Sequence, residues 1–410
     1  AGGKMMRAPV VRAAARTFSS GSGPHNVYLA GHGITNVTRK KEPTLDGMGG
    51  AAIKAALEDA GIDQSVPQAL YVGNMMSGML SHQQHLGPLL ANAAGLDNVE
   101  AATVEACCGA GGAALRWGYM AVASGIYHTV VVAGVELMTP SDTAVTTKGL
   151  ATASHWGKEG SLGATFVSLN GQLMDIYMKK YGVKHKDFAP FALVAHDNAL
   201  TAEHSTLKKK IDLETYESAR VVTDPIRLFD ASPMCDGAAA VVLTSRPEYA
   251  RAGGRAAVRV AGSAAASDIL PVQDRPDPLH LVAVEKSARG ALAQARVAAG
   301  DVDIFELHDA YTIMACLSLE NAGFVPRGEG TRFAGDGGIA LGGKLPMATF
   351  GGLKARGHPV GATGVYQAAE MMRQLTGRAG ANQVSDAKVA MIQNIGGSGA
   401  SVFAQVLVRE

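Results

Sequence analysis

The chain has 410 residues, 47% hydrophobic and 18% charged, which suits two or three packed units and excludes disorder by composition. Its formal charge is +1 and aromatic residues make up 5%, so it offers neither a basic field nor a stacking platform for nucleic acid. No apolar run approaches the roughly 18 residues that span a bilayer, and the four cysteines form neither a disulfide framework nor a metal-ligand cluster. Glycine is the outlier, with 50 residues, about 12% against a usual level near 7%. The glycines are dispersed, as tight turns and close backbone approaches require. The expectation is a soluble, intracellular globular protein with no bound metal and no membrane span.

In chain order, the first feature is a stretch free of Asp and Glu from Ala1 to Lys41, with Lys4, Arg7, Arg12 and Arg16 among apolar residues. This pattern fits a mitochondrial targeting segment over residues 1–24. Met48 to Ala60 then reads as a helix ending at Gly61, Leu70 to Val72 as a strand, and Thr103 to Glu105 as a strand leading into a small-residue helix, Gly111 to Ser124. Thr129 to Ala133 reads as a buried strand. Alternating strands and helices of this kind predict an α/β protein with helices on the sheet faces. From about 140 to 233 lysines cluster and strands become scarce, which predicts an inserted, mostly helical excursion. Strands resume at Ala238 to Leu243 and Ala257 to Ala261. The second half repeats the scheme: helix Lys286 to Ala299, strand Ile304 to Leu307, helix Thr312 to Ala322, helix Val365 to Leu375, and strands Val389 to Ile392 and Val402 to Val408. Two similar halves are expected, 25–270 and 271–410, related by duplication.

Four loops carry residues suited to chemistry. In Glu105-Ala106-Cys107-Cys108-Gly109-Ala110-Gly111 a cysteine sits where a strand ends and a helix begins. Amides at a helix start favour a thiolate and lower its pKa; a buried, inert cysteine is the alternative reading. The doublet leaves open which thiol faces a substrate. In Gly357-His358-Pro359-Val360-Gly361-Ala362-Thr363-Gly364 a histidine is held on a glycine-rich loop, placed to take a thiol proton or to donate to an oxyanion. Glu306-Leu307-His308-Asp309-Ala310-Tyr311 lies at a strand-to-helix junction. Asn394-Ile395-Gly396-Gly397-Ser398-Gly399 can aim backbone N–H groups at a carbonyl oxygen. Each of the last two alone reads as a turn.

Together, in this order, the four loops resemble the thiolase family from about residue 25 to 410. The match is most specific at Gly357-His358-Pro359-x-Gly361-Ala362-Thr363-Gly364. It is supported by the Cys108 elbow, by Gly134-Val135-Glu136-x-Met138 and by Ser232-Pro233-x-x-Asp236-Gly237. His308-Asp309 is similar to the sterol-carrier-protein-type and archaeal-type members, whose loop reads His-Asp-Cys-Phe. The resemblance implies two βαβαβαββ halves in five layers, α-β-α-β-α, with an inserted loop domain, and a homodimer or homotetramer. It implies coenzyme A thioesters as substrates with no permanently bound cofactor, and Cys108 as nucleophile. His358 would activate the thiol, His308 would assist at an oxyanion hole, and backbone N–H groups of Cys108 and Gly396 would form another.

The chain departs from this pattern where family members place a second cysteine, in the final loop or in the third. Here those positions are Asn394 and Ala310. Cys316 lies six residues past Ala310, roughly 9 Å farther along a helix, and Tyr311, with an ordinary pKa near 10, is a poor base. Acyl capture is expected to be intact and α-proton abstraction impaired. Three functional readings follow: an acyl-CoA acyltransferase with altered carbon–carbon chemistry, a decarboxylating enzyme acting on malonyl-CoA, or a scaffold subunit of a mitochondrial assembly. His155, Asn74 and His85 are further candidates for the cleft.

Overall fold

The structure, a computed structural model, describes residues 24–39 and 43–410; the targeting segment expected over 1–24 lies outside them apart from Pro24. The strands in chain order are β1 (Tyr28–Ile34), β2 (Ala69–Gly73), β3 (Glu100–Val104), β4 (Thr129–Glu136), β5 (Val221–Thr223), β6 (Ile226–Arg227), β7 (Gly237–Thr244), β8 (Val258–Ser267), β9 (Ile304–Glu306), β10 (Val389–Gly396) and β11 (Ser401–Arg409). β5 and β6 form a small ribbon, and the other nine order as β3-β2-β4-β7-β1-β8-β11-β10-β9.

The repeat is visible in this order. Outward from the centre, β1-β7-β4-β2 and β8-β11-β10-β9 each run antiparallel, antiparallel, parallel. Within the sheet, the two halves are joined by the pairing of Tyr28 and Leu29 with Arg259 and Val258. β3 lies parallel to the outer edge of β2, but among the described residues no strand answers it beyond β9. There Phe305 N–H bonds the carbonyl of Pro346 (3.0 Å), Pro346 has no N–H to extend a ladder, and Thr349 N–H bonds the Glu306 side chain instead (3.1 Å).

Three apolar clusters separate the layers. Helix Leu45–Ala60, stopped by Gly61 at φ 65, packs with Leu86–Ala94 on the outer face of the first half. Helix Val282–Ala295 covers the outer face of the second. Helices Ala110–Ala123 and Thr363–Leu375 pack together between the halves, and their Ala114, Leu115, Val365 and Met372 join strand residues of both. The helix expected over Lys286 to Ala299 is shifted towards the N-terminus, because Arg296 at φ 56 ends it in the left-handed region, a stop that its residue type does not announce.

The excursion near 140–233 contains helices Thr143–Ala151, Phe166–Tyr181 and Ala189–Ala199. Its Leu173, Met174, Tyr177 and Phe188 are buried with Met314 and Leu317 of the second half. An insertion in one half is thereby pinned on the other, and the space between them becomes the site.

The central helices converge at their N-termini without side chains between them: a Cβ on Gly364 would lie 2.3 Å from the Gly112 nitrogen. Gly364→Ala must separate the two helices and is expected to cost at least about 1–3 kcal/mol. Gly300→Ala, with nothing within 4 Å, should change stability by less than about 0.5 kcal/mol. Urea unfolding midpoints of the two variants check this.

Candidate active site

At the end of β3 the chain turns sharply. Cys107 adopts φ 54, unusual for a residue with a side chain, and its N–H bonds the Glu105 carboxylate (2.6 Å). A short turn, Cys107–Gly109, then feeds helix Ala110–Ala123. The turn directs the two thiols apart: Cys107 is half-buried, whereas Cys108 is 8% exposed and lines a cavity of about 840 Å³ including its mouth. The ambiguity of the doublet is settled by backbone conformation.

His358 and His308 line the same cavity. Their rings meet edge to face with centroids 5.0 Å apart. Hydrogen bonds assign each ring's proton. The Thr363 hydroxyl donates to the Pro359 carbonyl (3.2 Å), so its oxygen accepts from His358 Nδ1–H (2.7 Å), and His358 keeps its lone pair on Nε2. Asn394 accepts the Gly112 N–H at Oδ1 (2.9 Å), which fixes its amide. Its Nδ2 therefore donates to the Cys108 carbonyl (3.1 Å) and to His308 Nδ1 (3.2 Å). Neutral His308 must then carry its hydrogen on Nε2. One ring is an acceptor and the other a donor.

Sequence motifs whose roles were not evident prove to hold these loops together. Glu136 accepts N–H groups of Met75, Met76 and Gly361, each at 3.0 Å, and the Asn74 amide at 3.1 Å. Asp236 accepts from Met138 N–H (2.6 Å), Thr139 N–H (2.9 Å) and the Thr139 hydroxyl. Beneath His308, the Asp309 carboxylate accepts Leu353 N–H (2.8 Å), and Lys354 donates to the Asp230 carbonyl (2.6 Å). Arg356 pairs with Glu370, which also binds His204. Spacing alone could not reveal these partners, which lie up to 225 residues apart.

The electrostatics reverse one expectation. Burial, followed by Cys107 and Glu136, pushes the Cys108 thiol up, not down as the helix start suggests. Desolvation of the thiolate outweighs the favourable amides. Burial and Arg356 push His308 down to about 3; burial, His308 and Arg356 put His358 well below its ordinary range. Burial also lifts Glu136 to about 7 against its hydrogen bonds. Burial thus favours the neutral form of the thiol and of both imidazoles.

Ala310 and Tyr311 face the cavity, and Tyr311 lies close enough to Cys108 for the thiol to raise its pKa further, after burial. Cys316 is elsewhere: its Sγ contacts Glu320 at 3.6 Å, outside the cavity lining. Asn74 serves Glu136, His155 N–H bonds Glu159 and His85 precedes helix Leu86–Ala94; none of the three lines the cavity. The Gly396 nitrogen lies 3.0 Å from where a Cβ on Gly109 would be, so it abuts the Cys108 turn.

A family model described as "Thiolase, N-terminal domain" matches residues 30–247, and one described as "Thiolase C-terminal domain-like" matches 264–409. The chain is 41% identical over 354 residues to an "Acetyl-CoA acetyltransferase" of Methanothermobacter thermautotrophicus, covering 86% of this chain and 92% of that one. It is 32% identical over 375 residues to "Benzoylsuccinyl-CoA thiolase subunit BbsB" of Thauera aromatica, covering 90% and 94%. Human "Sterol carrier protein 2" is 27% identical over 390 residues, 92% of this chain and 71% of that one. A solved structure titled "Ltp2-ChsH2(DUF35) aldolase" superposes with a TM-score of 0.81 at 22% identity, over 94% of this chain and 98% of that chain; it shares the fold.

A neutral thiol beside a neutral imidazole has a testable signature. In Cys107→Ala protein, alkylation of Cys108 by iodoacetamide should rise about tenfold per pH unit from pH 6 to 9, following the thiolate fraction. A plateau starting near pH 6 would reveal a resting thiolate–imidazolium pair instead.

Proposed function

Because the chain belongs to the thiolase family, we propose that it is an acyltransferase that takes acyl groups from acetyl- or 3-oxoacyl-coenzyme A onto Cys108. The observation that carries this reading is the convergence of Cys108, His308 and His358 on one cavity. As the Cys108 sulfur attacks the thioester carbonyl, its proton passes to His358 Nε2, which the Thr363 hydrogen bond leaves free to accept it. The carbonyl oxygen becomes an oxyanion beside the backbone N–H groups of Cys108 and Gly396. The tetrahedral intermediate collapses, the bond to coenzyme A breaks, and the departing sulfur regains the proton from His358. His308, with its hydrogen on Nε2, donates to the carbonyl of a second thioester. No cofactor takes part.

The step after acyl capture is altered. A base is needed to remove a proton α to the second thioester, and Ala310 has no group for it. Asn394 is committed to three hydrogen bonds. This favours a second reading, decarboxylation of malonyl-CoA, in which loss of carbon dioxide forms the carbanion without a base. A scaffold role in a mitochondrial assembly is the third reading, and the assembled catalytic set weighs against it.

We also read the protein as a homodimer or homotetramer. β3 is a sheet edge whose Glu100 and Thr103 are exposed, beside the exposed Trp117, and such an edge suits pairing with a second copy. The basic start of the chain supports a location in the mitochondrial matrix.

Incubation with acetyl-CoA should place one acetyl group on Cys108, read by peptide mass spectrometry, in wild type and in Cys107→Ala but not in Cys108→Ala. An adduct that survives Cys108→Ala rejects the assignment. Ala310→Cys, which restores a thiol where the family has one, should raise acetoacetyl-CoA thiolysis about 10–100-fold. An unchanged rate would place the limit elsewhere. Carbon dioxide release from malonyl-CoA tests the second reading; native mass tests the third, which requires a hetero-assembly in place of a free homo-oligomer.

A further inference from the structure

The cavity wall opposite the catalytic loops comes from the inserted segment, and it is apolar in Phe166, Val167, Leu150 and, from the second half, Met314. Asn170 interrupts it. This residue lies in helix Phe166–Tyr181, is 2% exposed and lines the cavity. Its Nδ2 donates to the Phe166 carbonyl at 2.9 Å. A carbonyl can only accept, so the amide cannot be turned round, and Oδ1 faces away from that bond. Among the described residues Oδ1 has no hydrogen-bond partner, and it is the one such buried side-chain atom on a residue lining this cavity.

We propose that Asn170 Oδ1 is a substrate-recognition acceptor, which takes a hydrogen bond from a hydroxyl on the acyl chain, so that the cavity selects hydroxyacyl over plain acyl groups. The inference rests on the acyl-enzyme reading for its chemistry but not for its test. A plain hydrocarbon chain seated here leaves the already buried amide oxygen without a donor. An oxo group also leaves it unpaired, since both oxygens only accept. An O–H satisfies it. Sites built around a buried acceptor discriminate by this asymmetry more sharply than an apolar pocket discriminates by one methylene. An amide N–H of the pantetheine arm has the same donor chemistry, and the two sources separate because every coenzyme A thioester carries the arm whereas only some carry the hydroxyl.

The test is calorimetric binding to full-length Cys108→Ala protein, which cannot be acylated. The ligands are butyryl- and hexanoyl-CoA and their hydroxylated counterparts, with the hydroxyl moved along successive carbons from C3 to C6. At least one hydroxylated ligand should bind about tenfold more tightly than the plain chain of the same length. Asn170→Leu in the same background should invert that preference, and Asn170→Ala should abolish it, which covers the case in which the leucine variant misfolds. The proposal is overturned if no hydroxyl position changes affinity more than about twofold in the Cys108→Ala protein. It is equally overturned if the preference survives at Asn170→Leu, or if Asn170→Leu weakens all thioesters alike, which would assign the donor to the pantetheine arm. Acylation of wild-type protein, read separately on Cys108, reports on the acyl-enzyme reading: a binding preference without acylation would reject that chemistry and retain Asn170.

Discussion

The site depends on one side-chain amide. Asn394 holds an N–H of the Cys108 helix, the carbonyl of Cys108 and a ring nitrogen of His308 at once. It thereby joins strand β10 of the second half to the Cys108 turn of the first and to the loop after β9. An amide can do this because it presents donor and acceptor on opposite sides of one rigid plane. A cysteine here would offer one weak donor and leave the Gly112 N–H and the Cys108 carbonyl unanswered.

This amide acts in a setting that suppresses charge on the reacting groups and concentrates it behind them. Arg356 and Glu370 are both fully buried and sit with Asp309 and Lys354 behind the histidines. Arg356 contributes to lowering both imidazoles, while burial pushes the Cys108 thiol up. On the proposed acyl-transfer reading, attack by the thiol and transfer of its proton are coupled, because neither charged partner is comfortable alone. A buried ion pair of this kind contributes modestly to stability and strongly to where the attached loops sit. The loop 351–357 carries Arg356 itself, and His204 bonds Glu370 at 2.7 Å.

Much of the architecture was legible from local pattern. The helix ending at Gly61, the small-residue helix after Cys108 and the strands from Ala238 and Val389 appear close to where periodicity puts them, because each buries a continuous apolar face. β1 was not anticipated: its Gly31 and Gly33 disguise a strand, yet they are what lets helix Leu45–Ala60 approach, with carbonyls 2.3 and 2.1 Å from where a Cβ would stand. The helix stop at Arg296 escaped for the related reason that a left-handed conformation was adopted without glycine. At the site, Cys108, His308 and His358 were marked by unusual neighbours in the sequence. Asn170 carried no such mark, since an asparagine one turn into a helix looks like any solvated polar residue until the wall around it is known.

By itself the sequence determined the residue types available for chemistry, the alternation that makes an α/β repeat, and the absence of a cysteine at positions 310 and 394, because these are properties of composition and spacing. Only the tertiary structure decided which of two adjacent thiols faces the cavity, which nitrogen of each histidine carries the proton, and that the thiol's pKa rises where a helix start alone would lower it. Those outcomes depend on burial and on hydrogen bonds between residues hundreds of positions apart, and neither quantity exists until the chain has folded.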